Sequence, residues 1–189
     1  MYSYVLKEIL LEMKHDDKFK QDLVQFCRVQ YSGNVKELKM IDEFEQNYYK
    51  PSPVWWYTLE CFTYKMLNRA LREQDVGIII KMGFFVRAHH RQIQRLYSES
   101  HDQPLMIVYR EQGMSHANFD KLREKIGGLL SFNEFLSTSI DKQVALKFAS
   151  RPQKNLDQTA ILFQMEFDPL ILSVPFASLE NISAIPKEK

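Results

Sequence analysis

The chain has 189 residues, 26% of them charged, and a formal net charge of +1 at neutral pH. A chain of this length buries about 70% of the surface that its unfolded state exposes, so it needs no disulfide or metal to fold. The balanced charge gives no reason to expect nucleic acid or an anionic membrane as a partner. Two cysteines do not make a disulfide framework, and we interpret Cys27 and Cys61 as small buried side chains.

The amino-terminal segment is amphipathic and does not have the pattern of a secretory signal. Lys7, Glu8 and Glu12 interrupt its apolar residues, whereas a signal needs an unbroken apolar centre. No stretch of the chain approaches the ~20 apolar residues of a membrane span. We therefore expect a soluble protein without a membrane partner, with the cytoplasm as the favoured compartment.

In the first hundred residues, apolar side chains recur every three or four positions, which is the spacing of one face of a helix. Asp16-Asp17 can cap the second helix, and Ser52 with Pro53 forms a cap and first-turn pair for the fourth. The apolar stripe of the fourth helix begins with Val54 and Trp55, and we interpret it as core. The predicted helices are Val5–Met13, a helix carrying Phe19 to Cys27, a helix carrying Leu38 to Tyr48, Pro53–Arg72, and Ile78–Arg95 with Gly83 as a weak point.

Two polar features of the last of these helices have alternative interpretations. His89 and His90 are adjacent, so they point in different directions and lack the four-residue spacing of a zinc-binding pair. We expect no metal site there. Arg87, Arg91 and Arg95 recur at every fourth residue and form a basic stripe, which fits a solvated face better than an anion site.

From Leu105 onwards the pattern changes towards strands. The whole chain therefore predicts an α+β fold, with a helical half at residues 1–100, a strand-rich half at residues 101–189 and one compact domain overall. The elements predicted in the second half are the strand Leu105–Tyr109, ending on Arg110; a helix from His116 to Lys125, capped by Ser115 and ended by Gly127-Gly128; an extended stretch over 129–136; a helix capped by Ser139 or Asp141; and strands at Thr159–Phe167, Leu170–Val174 and within Pro175–Lys187.

Arg110 and the hydroxyl run Ser137-Thr138-Ser139 are the candidate ligand groups. A fixed cation facing small hydroxyls suits a phosphate-bearing ligand, because arginine offers a rigid donor fork and hydroxyls both donate and accept. Together with Tyr109 and the run SFNEFL, these residues resemble the arginine-specific mono-ADP-ribosyltransferases of the R-S-E type, and most closely their invertebrate members. The resemblance covers most of the chain, including the upstream words WWYT and MLNRALR.

This resemblance implies a helical half packed on a mixed, mainly antiparallel, split two-sheet core. It implies NAD as the substrate, with NADP not distinguished, no metal, and transfer of ADP-ribose to an exposed arginine of an acceptor protein with release of nicotinamide. Arg110 would contact the phosphates and ribose, and Ser137 would hydrogen-bond the nicotinamide ribose and position the catalytic glutamate. Thr138 and Ser139 complete the motif, although helix capping is the favoured role of Ser139.

Four further residues are candidates for the expected site through their positions in the sequence. Phe132 and Phe135 lie just before the hydroxyl run, and we expect one of them in the core and the other against the ligand. Phe148 and Arg151 are three residues apart, as are the nicotinamide-stacking aromatic residue and a second phosphate-binding arginine in some relatives. The apolar helical face around Phe148 favours a core role for it, while the two roles of Arg151 are evenly balanced.

The chain departs from the family pattern in two places. Glu111 stands where the family has glycine after the strand arginine, and Gly113 follows to supply part of the turn's conformational freedom. The family also carries a Glu-x-Glu motif whose second glutamate is catalytic and whose first recruits the acceptor arginine. Glu188 matches the first position, and the second would follow Lys189; Glu180 has no glutamate two residues away. We therefore expect either a fragment or a domain that has lost its activity.

Two other functions stay open at this point. One is a non-catalytic NAD-binding or protein-interaction module with the same fold. The other is a purely helical adaptor whose second half is only a scaffold, which would be favoured if no cleft formed between Arg110 and Ser137.

Overall fold

A computed structural model describes residues 8–13, 17–59, 61–100, 104–149, 157–168 and 174–184, without the side chains of 147–149 and 158. These residues fall into two compact units. The helical unit comprises residues 8–100 and 175–184, and the strand unit comprises residues 104–149, 157–168 and 174. One division lies near residue 100, where the sequence pattern changes from helices towards strands.

Residues 175–184 were predicted to belong to the strand-rich half, but they belong to the helical unit. The backbone N–H of Ala184 donates to Thr58 Oγ1 at 2.8 Å, and the ring of Phe176 packs on that of Tyr97 with centroids 5.2 Å apart. These long-range contacts have no local sequence signal. No strand occurs among residues 175–184.

The helical unit confirms the prediction of a helical first half. Several of its helices begin at a side chain that accepts a backbone N–H three residues on: Asn34 from Glu37, Ser52 from Trp55, and Asp75 from Ile78. The helices are α1 at residues 8–12, α2 Asp17–Gln30, α3 Val35–Asn47, α4 Pro53–Thr58, α5 Phe62–Glu73, α6 Val76–Lys81 and α7 Gly83–Glu99.

The helix predicted over Pro53–Arg72 is divided into α4 and α5. Thr58 Oγ1 donates to the Trp55 carbonyl at 3.0 Å, and Thr63 Oγ1 donates to the Trp56 carbonyl at 2.9 Å. The Trp56 carbonyl at the end of α4 thus has a side-chain donor, while the Trp55 carbonyl accepts both the Thr58 hydroxyl and the Leu59 N–H. The division also changes the residue that enters the core, because Trp56 is buried and Trp55 is only half-buried.

The helix predicted over Ile78–Arg95 is likewise divided, at Met82 between α6 and α7. The N–H of Met82 returns to the Ile78 carbonyl, and Met82 has φ −89° and ψ 3°, outside the helical range. Gly83, which the sequence marked as a weak point, is the first residue of α7.

The core of the helical unit is aromatic. The ring of Phe44 lies 4.9 Å from Tyr48, 5.1 Å from Trp56, 5.3 Å from Phe62 and 6.4 Å from Phe85, measured between centroids. The Trp56 indole N–H donates to the Tyr48 carbonyl at 3.2 Å, so its polar atom is satisfied inside the core.

Cys27 and Cys61 are buried free thiols, as the sequence predicted. Burial is the main cause that raises the pKa of both, to about 12 for Cys27. Both side chains are therefore neutral, unreactive parts of the core near neutral pH.

The strand unit contains a two-stranded antiparallel sheet among its described residues, and this confirms the coarse α+β class. Strand β1 spans Met106–Ser115 and β2 spans Gln158–Phe167, in a register that runs from Met106↔Phe167 to Ser115↔Gln158. Helices α8, His116–Arg123, and α9, Lys142–Ala149, both pack against the two strands. The predicted strand Leu170–Val174 lies almost wholly outside the described residues and stays a prediction.

Strand β1 is longer than predicted, and this corrects the position of Arg110. The sequence placed Arg110 at the end of a strand and Glu111 to Gly113 in a turn. Instead, Arg110 is the fifth of ten strand residues and pairs with Phe163, and the ladder continues to Ser115. Pairing with the apolar stretch of β2 stabilises the polar end of β1 in an extended conformation that its local sequence does not favour.

Candidate functional site around Arg110

Strand β1 lies between β2 and the segment that holds the hydroxyl run. The Tyr109 N–H donates to the Ser139 carbonyl at 2.7 Å, and the Ser139 N–H donates back to the Tyr109 carbonyl at 2.9 Å. Both backbone groups of one strand residue point to the same side, so those of Val108 and Arg110 point to β2. The antiparallel bridge therefore holds the hydroxyl run beside Arg110.

Arg110 points to the buried face of the sheet. Side chains alternate along a strand, which places Val108, Arg110 and Gln112 on one face. Val108 is 5% exposed and Arg110 is 8% exposed, whereas Ile107 on the other face is 42% exposed. A guanidinium that is buried to this extent must find partners within the protein or a ligand.

The partners of Arg110 come from the segment before α9. Its Nη2 donates to Glu134 Oε1 at 2.7 Å, and its Nη1 donates to the Ser137 carbonyl at 3.0 Å. The Glu134 side chain is only 2% exposed, so the two charges form a buried ion pair. Arg110 and Ser137 are thus in contact, but through the backbone carbonyl of Ser137 and not through the hydroxyl that the sequence argument assigned to the site.

Glu134 is the residue of this site that the sequence reasoning missed. It stands inside the quoted run SFNEFL and is the only acidic residue between Lys125 and Ile140. A lone carboxylate in an aromatic stretch beside a predicted arginine is the signal that could have identified it, because a buried arginine requires a counter-charge.

Two polar atoms near this ion pair have no hydrogen-bond partner within the described part of the chain. They are Arg110 Nε and Gln112 Oε1, and both are buried. One is a donor and the other an acceptor, on neighbouring positions of the same face of β1. Unsatisfied buried groups of this kind are uncommon in proteins and are characteristic of sites that receive a polar ligand or carry strain.

The aromatic wall of the Arg110 face comes from Phe132. Phe132 packs edge-on against Phe163, with centroids 5.4 Å apart and an interplanar angle of 86°. Phe163 is the cross-strand partner of Arg110, and directly opposed residues lie on the same face of a sheet. Phe132 therefore lies on the side of the sheet to which the guanidinium points.

Glu111 and Gly113 lie in β1 and not in a turn. Glu111 is half-buried opposite Leu162, on the face away from Arg110, and Gly113 is exposed opposite Ala160. Gly113 does not have a positive φ, so its position does not require the conformational freedom of glycine that the sequence argument assigned to it.

The structure divides the hydroxyl run by role. Thr138 is exposed, whereas Ser139 Oγ accepts the Asp141 N–H at 3.0 Å in a turn before α9. Asp141 Oδ1 accepts the Gln143 N–H at 2.7 Å, so Asp141 is the residue that caps the helix and Ser139 supports the turn that leads to it.

Three predicted site residues lie outside what the structure describes. The backbone of Phe148 is part of α9, but its side chain is not described, and Arg151 and Glu188 lie outside the described residues. Their expected roles stay predictions. Within the described ranges, no three His, Cys, Asp or Glu side chains form a metal-ligand group, and no described helix is long and apolar enough to cross a membrane.

Comparison with known proteins adds no assignment. No protein-family model, no curated protein and no solved structure matches the chain. The functional interpretation therefore depends on the residues around Arg110 themselves.

Proposed function

We propose that this chain is the NAD-binding domain of a mono-ADP-ribosyltransferase, which transfers ADP-ribose to an arginine of an acceptor protein and releases nicotinamide. The observation that carries the proposal is the direct contact of Arg110 with the Ser137 segment, 3.0 Å from Nη1 to the carbonyl, across 27 residues of sequence. In the proposed fold, β1, β2 and the segment at Ser139 belong to a split, mainly antiparallel two-sheet core.

The proposed chemistry asks for positioning more than for covalent help. Nicotinamide is a cationic leaving group in NAD, and breaking its glycosidic bond develops positive charge on the ribose. The protein must hold the diphosphate, fix the nicotinamide and place hydroxyl and carboxylate groups beside the ribose. We assign Arg110 to the diphosphate, the Ser137 hydroxyl to the ribose and Phe132 to the wall of the site.

The acceptor half of the reaction rests on the resemblance alone. Glu188 would recruit the acceptor guanidinium by its charge, as the first glutamate of the motif does in the family. Thr138, Phe148 and Arg151 are the remaining candidates for contacts with NAD, and no metal is required by this chemistry.

Ligand binding at Arg110 requires an exchange of anions. Both terminal nitrogens of the guanidinium already donate to Glu134 and to the Ser137 carbonyl. Carboxylate and phosphate oxygens are equivalent acceptors for an arginine fork, so a phosphate of NAD can take the place of Glu134. Since Glu134 is itself buried, NAD binding would be coupled to a movement of the segment that carries it.

The same ion pair favours a second candidate function, a non-catalytic protein-interaction module of the same fold. A guanidinium that is satisfied by Glu134 stabilises the strand unit with no ligand at all. In that case the Arg110 side chain is structural, and NAD neither binds nor reacts.

Titration of NAD into the 189-residue chain by calorimetry tests the proposal, with Ser137→Ala as the informative variant. Arg110 contacts the carbonyl of Ser137, so removal of the hydroxyl leaves that contact in place. We expect Ser137→Ala to weaken NAD binding about fivefold to tenfold, the effect of one hydrogen bond. Ser131→Ala, at an exposed position of the same segment, is the matched control and should bind like the wild type.

The outcomes separate the two functions. Binding that Ser137→Ala weakens, with nicotinamide released in the presence of agmatine as an arginine analogue, supports the transferase. Such binding without release fits both a transferase whose second motif glutamate lies beyond the 189 residues tested and a non-catalytic NAD-binding domain, and a longer chain that carries that glutamate then separates the two. Absence of NAD binding, or equal affinity of wild type, Ser137→Ala and Ser131→Ala, contradicts the assignment.

A further inference from the structure

The helical unit contains a cavity of its own, which is broadly open to solvent. It has a volume of about 360 Å³ and lies between the start of α4 and one face of α7. This volume is within the range of small-molecule sites, at its lower end. The lining residues are Ser52, Pro53, Ala88, Arg91, Gln92 and Arg95.

The two cations of this cavity are one helical turn apart. Arg91 and Arg95 lie at i and i+4 of α7 and therefore on one face. The side chain of Arg91 makes no hydrogen bond or ion pair with any residue in the described ranges. Within the same ranges, the side chain of Arg95 makes only a distant, exposed contact, 3.7 Å from its Nε to Glu99 Oε1. Like charges at this spacing repel each other, and an anion between them removes that cost.

Arg87, the third member of the basic stripe, has a different role. Its Nη1 donates to the Met13 carbonyl at 2.6 Å, and it does not line the cavity. The stripe in the sequence therefore divides into one structural arginine and two that face the cavity. Both cavity-facing arginines are exposed, Arg95 with 67% of its side chain, so both are accessible to a ligand from solvent.

The backbone amides at the start of α4 are already occupied. Pro53 has no N–H, the Val54 N–H donates to Gln92 Oε1 at 3.1 Å, and the Trp55 N–H donates to Ser52 Oγ at 3.1 Å. Gln92 and Ser52 are the polar, uncharged side chains that line the cavity, and each accepts one of these backbone bonds with its oxygen. The NH2 group of Gln92 and the hydroxyl proton of Ser52 remain available to donate to a ligand. Beside two guanidinium groups, the polar lining is thus made mainly of donors, with no carboxylate among the lining residues.

We infer that this cavity binds the phosphate group of a small phosphorylated metabolite, with Arg91 and Arg95 as its principal ligands. A carboxylate has two oxygens, which one arginine fork can occupy. A phosphate monoester has three terminal oxygens and about two negative charges, so it suits two guanidinium groups. Pro53 and Ala88 provide the apolar part of the lining, against which the non-phosphate part of a sugar-sized molecule can pack. This inference does not depend on NAD binding at Arg110.

Titration with ribose 5-phosphate, followed by calorimetry, tests the inference, with inorganic phosphate and acetate as further probes. We expect ribose 5-phosphate to bind, inorganic phosphate to compete with it, and acetate to compete at least tenfold more weakly. Arg91→Gln and Arg95→Gln should each raise the dissociation constant about tenfold or more, since each removes charge-assisted hydrogen bonds. Arg91→Lys, which keeps the charge, should lose less.

Arg69→Gln is the matched control for these variants. Arg69 is also an exposed helical arginine with a weak i, i+4 partner, 3.9 Å from Glu73, but it does not line the cavity. It should bind ribose 5-phosphate like the wild type. The inference is overturned if ribose 5-phosphate does not bind at millimolar concentration, or if Arg91→Gln and Arg95→Gln bind it as tightly as Arg69→Gln. It is also overturned if Arg110→Lys, and not the α7 variants, weakens binding.

Discussion

The helical unit and the strand unit bury different kinds of side chain at their centres. In the helical unit, Phe44 is fully buried and its ring packs against three other fully buried rings, those of Trp56, Phe62 and Phe85. Among the described residues of the strand unit, those classed as buried are Val108, Arg110 and Ala145. One centre is held by apolar area, which is non-directional, and the other by strand pairing and an ion pair that requires specific partners.

The exposed apolar residues show the same contrast. In the strand unit, Ile126 is 87% exposed and Leu129 is 103% exposed. These two apolar side chains do not add to the core of that unit. The segment around Gly127 therefore contributes little hydrophobic stabilisation. A substitution in the helical unit should act through lost packing, and one at the Arg110 site through an uncompensated charge.

Phe44→Ala should have the largest effect on stability. Phe44 is fully buried and contacts four aromatic rings, so truncation removes burial and leaves a cavity that its neighbours fill only in part. We expect a loss of about 4 kcal/mol in the free energy of unfolding, measured by urea denaturation and tryptophan fluorescence. Val29→Ala, at an exposed site of α2, is the control and should change it by less than about 0.5 kcal/mol. Similar losses for both variants would show that Phe44 is not the centre of this core.

Glu134→Ala should come next, with a loss of about 3 kcal/mol, because it leaves the Arg110 guanidinium buried without its counter-charge. The double variant Arg110→Met/Glu134→Leu replaces both charges by apolar groups and should recover most of this loss. Hydrogen exchange of the β1 amides reports on the strand unit directly. An unchanged exchange rate in Glu134→Ala would show that the ion pair does not stabilise the sheet, and would remove the contrast between the two centres.

The helical unit was more predictable from sequence than the strand unit, because the signals that define its helices lie between neighbouring residues. Helical caps are local, so Ser52-Pro53 and Ser115 could be assigned from neighbouring residues, and the apolar spacing indicated the core that contains Phe44 and Cys27. The break after Thr58 was not predicted, because no proline or glycine marks it in the sequence, whereas Gly83 marked a weak point beside the break at Met82.

The Arg110 site needed information from distant parts of the chain. Arg110 is mid-strand because β2, some fifty residues later, pairs with the whole of β1. Its counter-charge Glu134 lies 24 residues away in sequence. Residue types and the resemblance were sufficient to bring Arg110 and Ser137 together, but they could not identify which atom of Ser137 would accept the hydrogen bond.

Acid should destabilise the helical unit through His89. Burial, and to a smaller degree the neighbouring His90, lower the pKa of His89 from its ordinary 6.5 to about 3. The unfolded chain takes up a proton near pH 6.5 and the folded chain does so only near pH 3, so stability falls as the pH decreases between these values. Between pH 6 and pH 4.5 this residue should account for a loss of about 2 kcal/mol.

His89→Phe isolates this effect, since it keeps an aromatic ring against Tyr57 and Phe85. Above pH 7 the free energy of unfolding should change with pH in the same way in the wild type and in His89→Phe, because the histidine is neutral in both the folded and the unfolded state. Below pH 6.5 the wild type should lose stability relative to the variant. Parallel profiles down to pH 4.5 would contradict the buried, neutral state of His89.

The smallest effect, and the finest test of the contrast, comes from the same substitution in each unit. Asn34 caps α3 by accepting the Glu37 N–H at 3.2 Å, and Ser115 caps α8 by accepting the Asn118 N–H at 3.3 Å. Removal of either cap by alanine should cost about 1 kcal/mol. Helix α3 is also held by buried Ile41 and Phe44, whereas α8 has no buried residue.

Asn34→Ala should therefore lower the stability of the whole helical unit with α3 still formed, because packing keeps the helix in place. Ser115→Ala should instead unfold α8 locally, seen as faster hydrogen exchange of its amides at an unchanged urea midpoint of the tryptophan signal. If both variants gave local fraying, or both a shift of the midpoint, the apolar core and the strand unit would not differ in the way that their buried residues indicate.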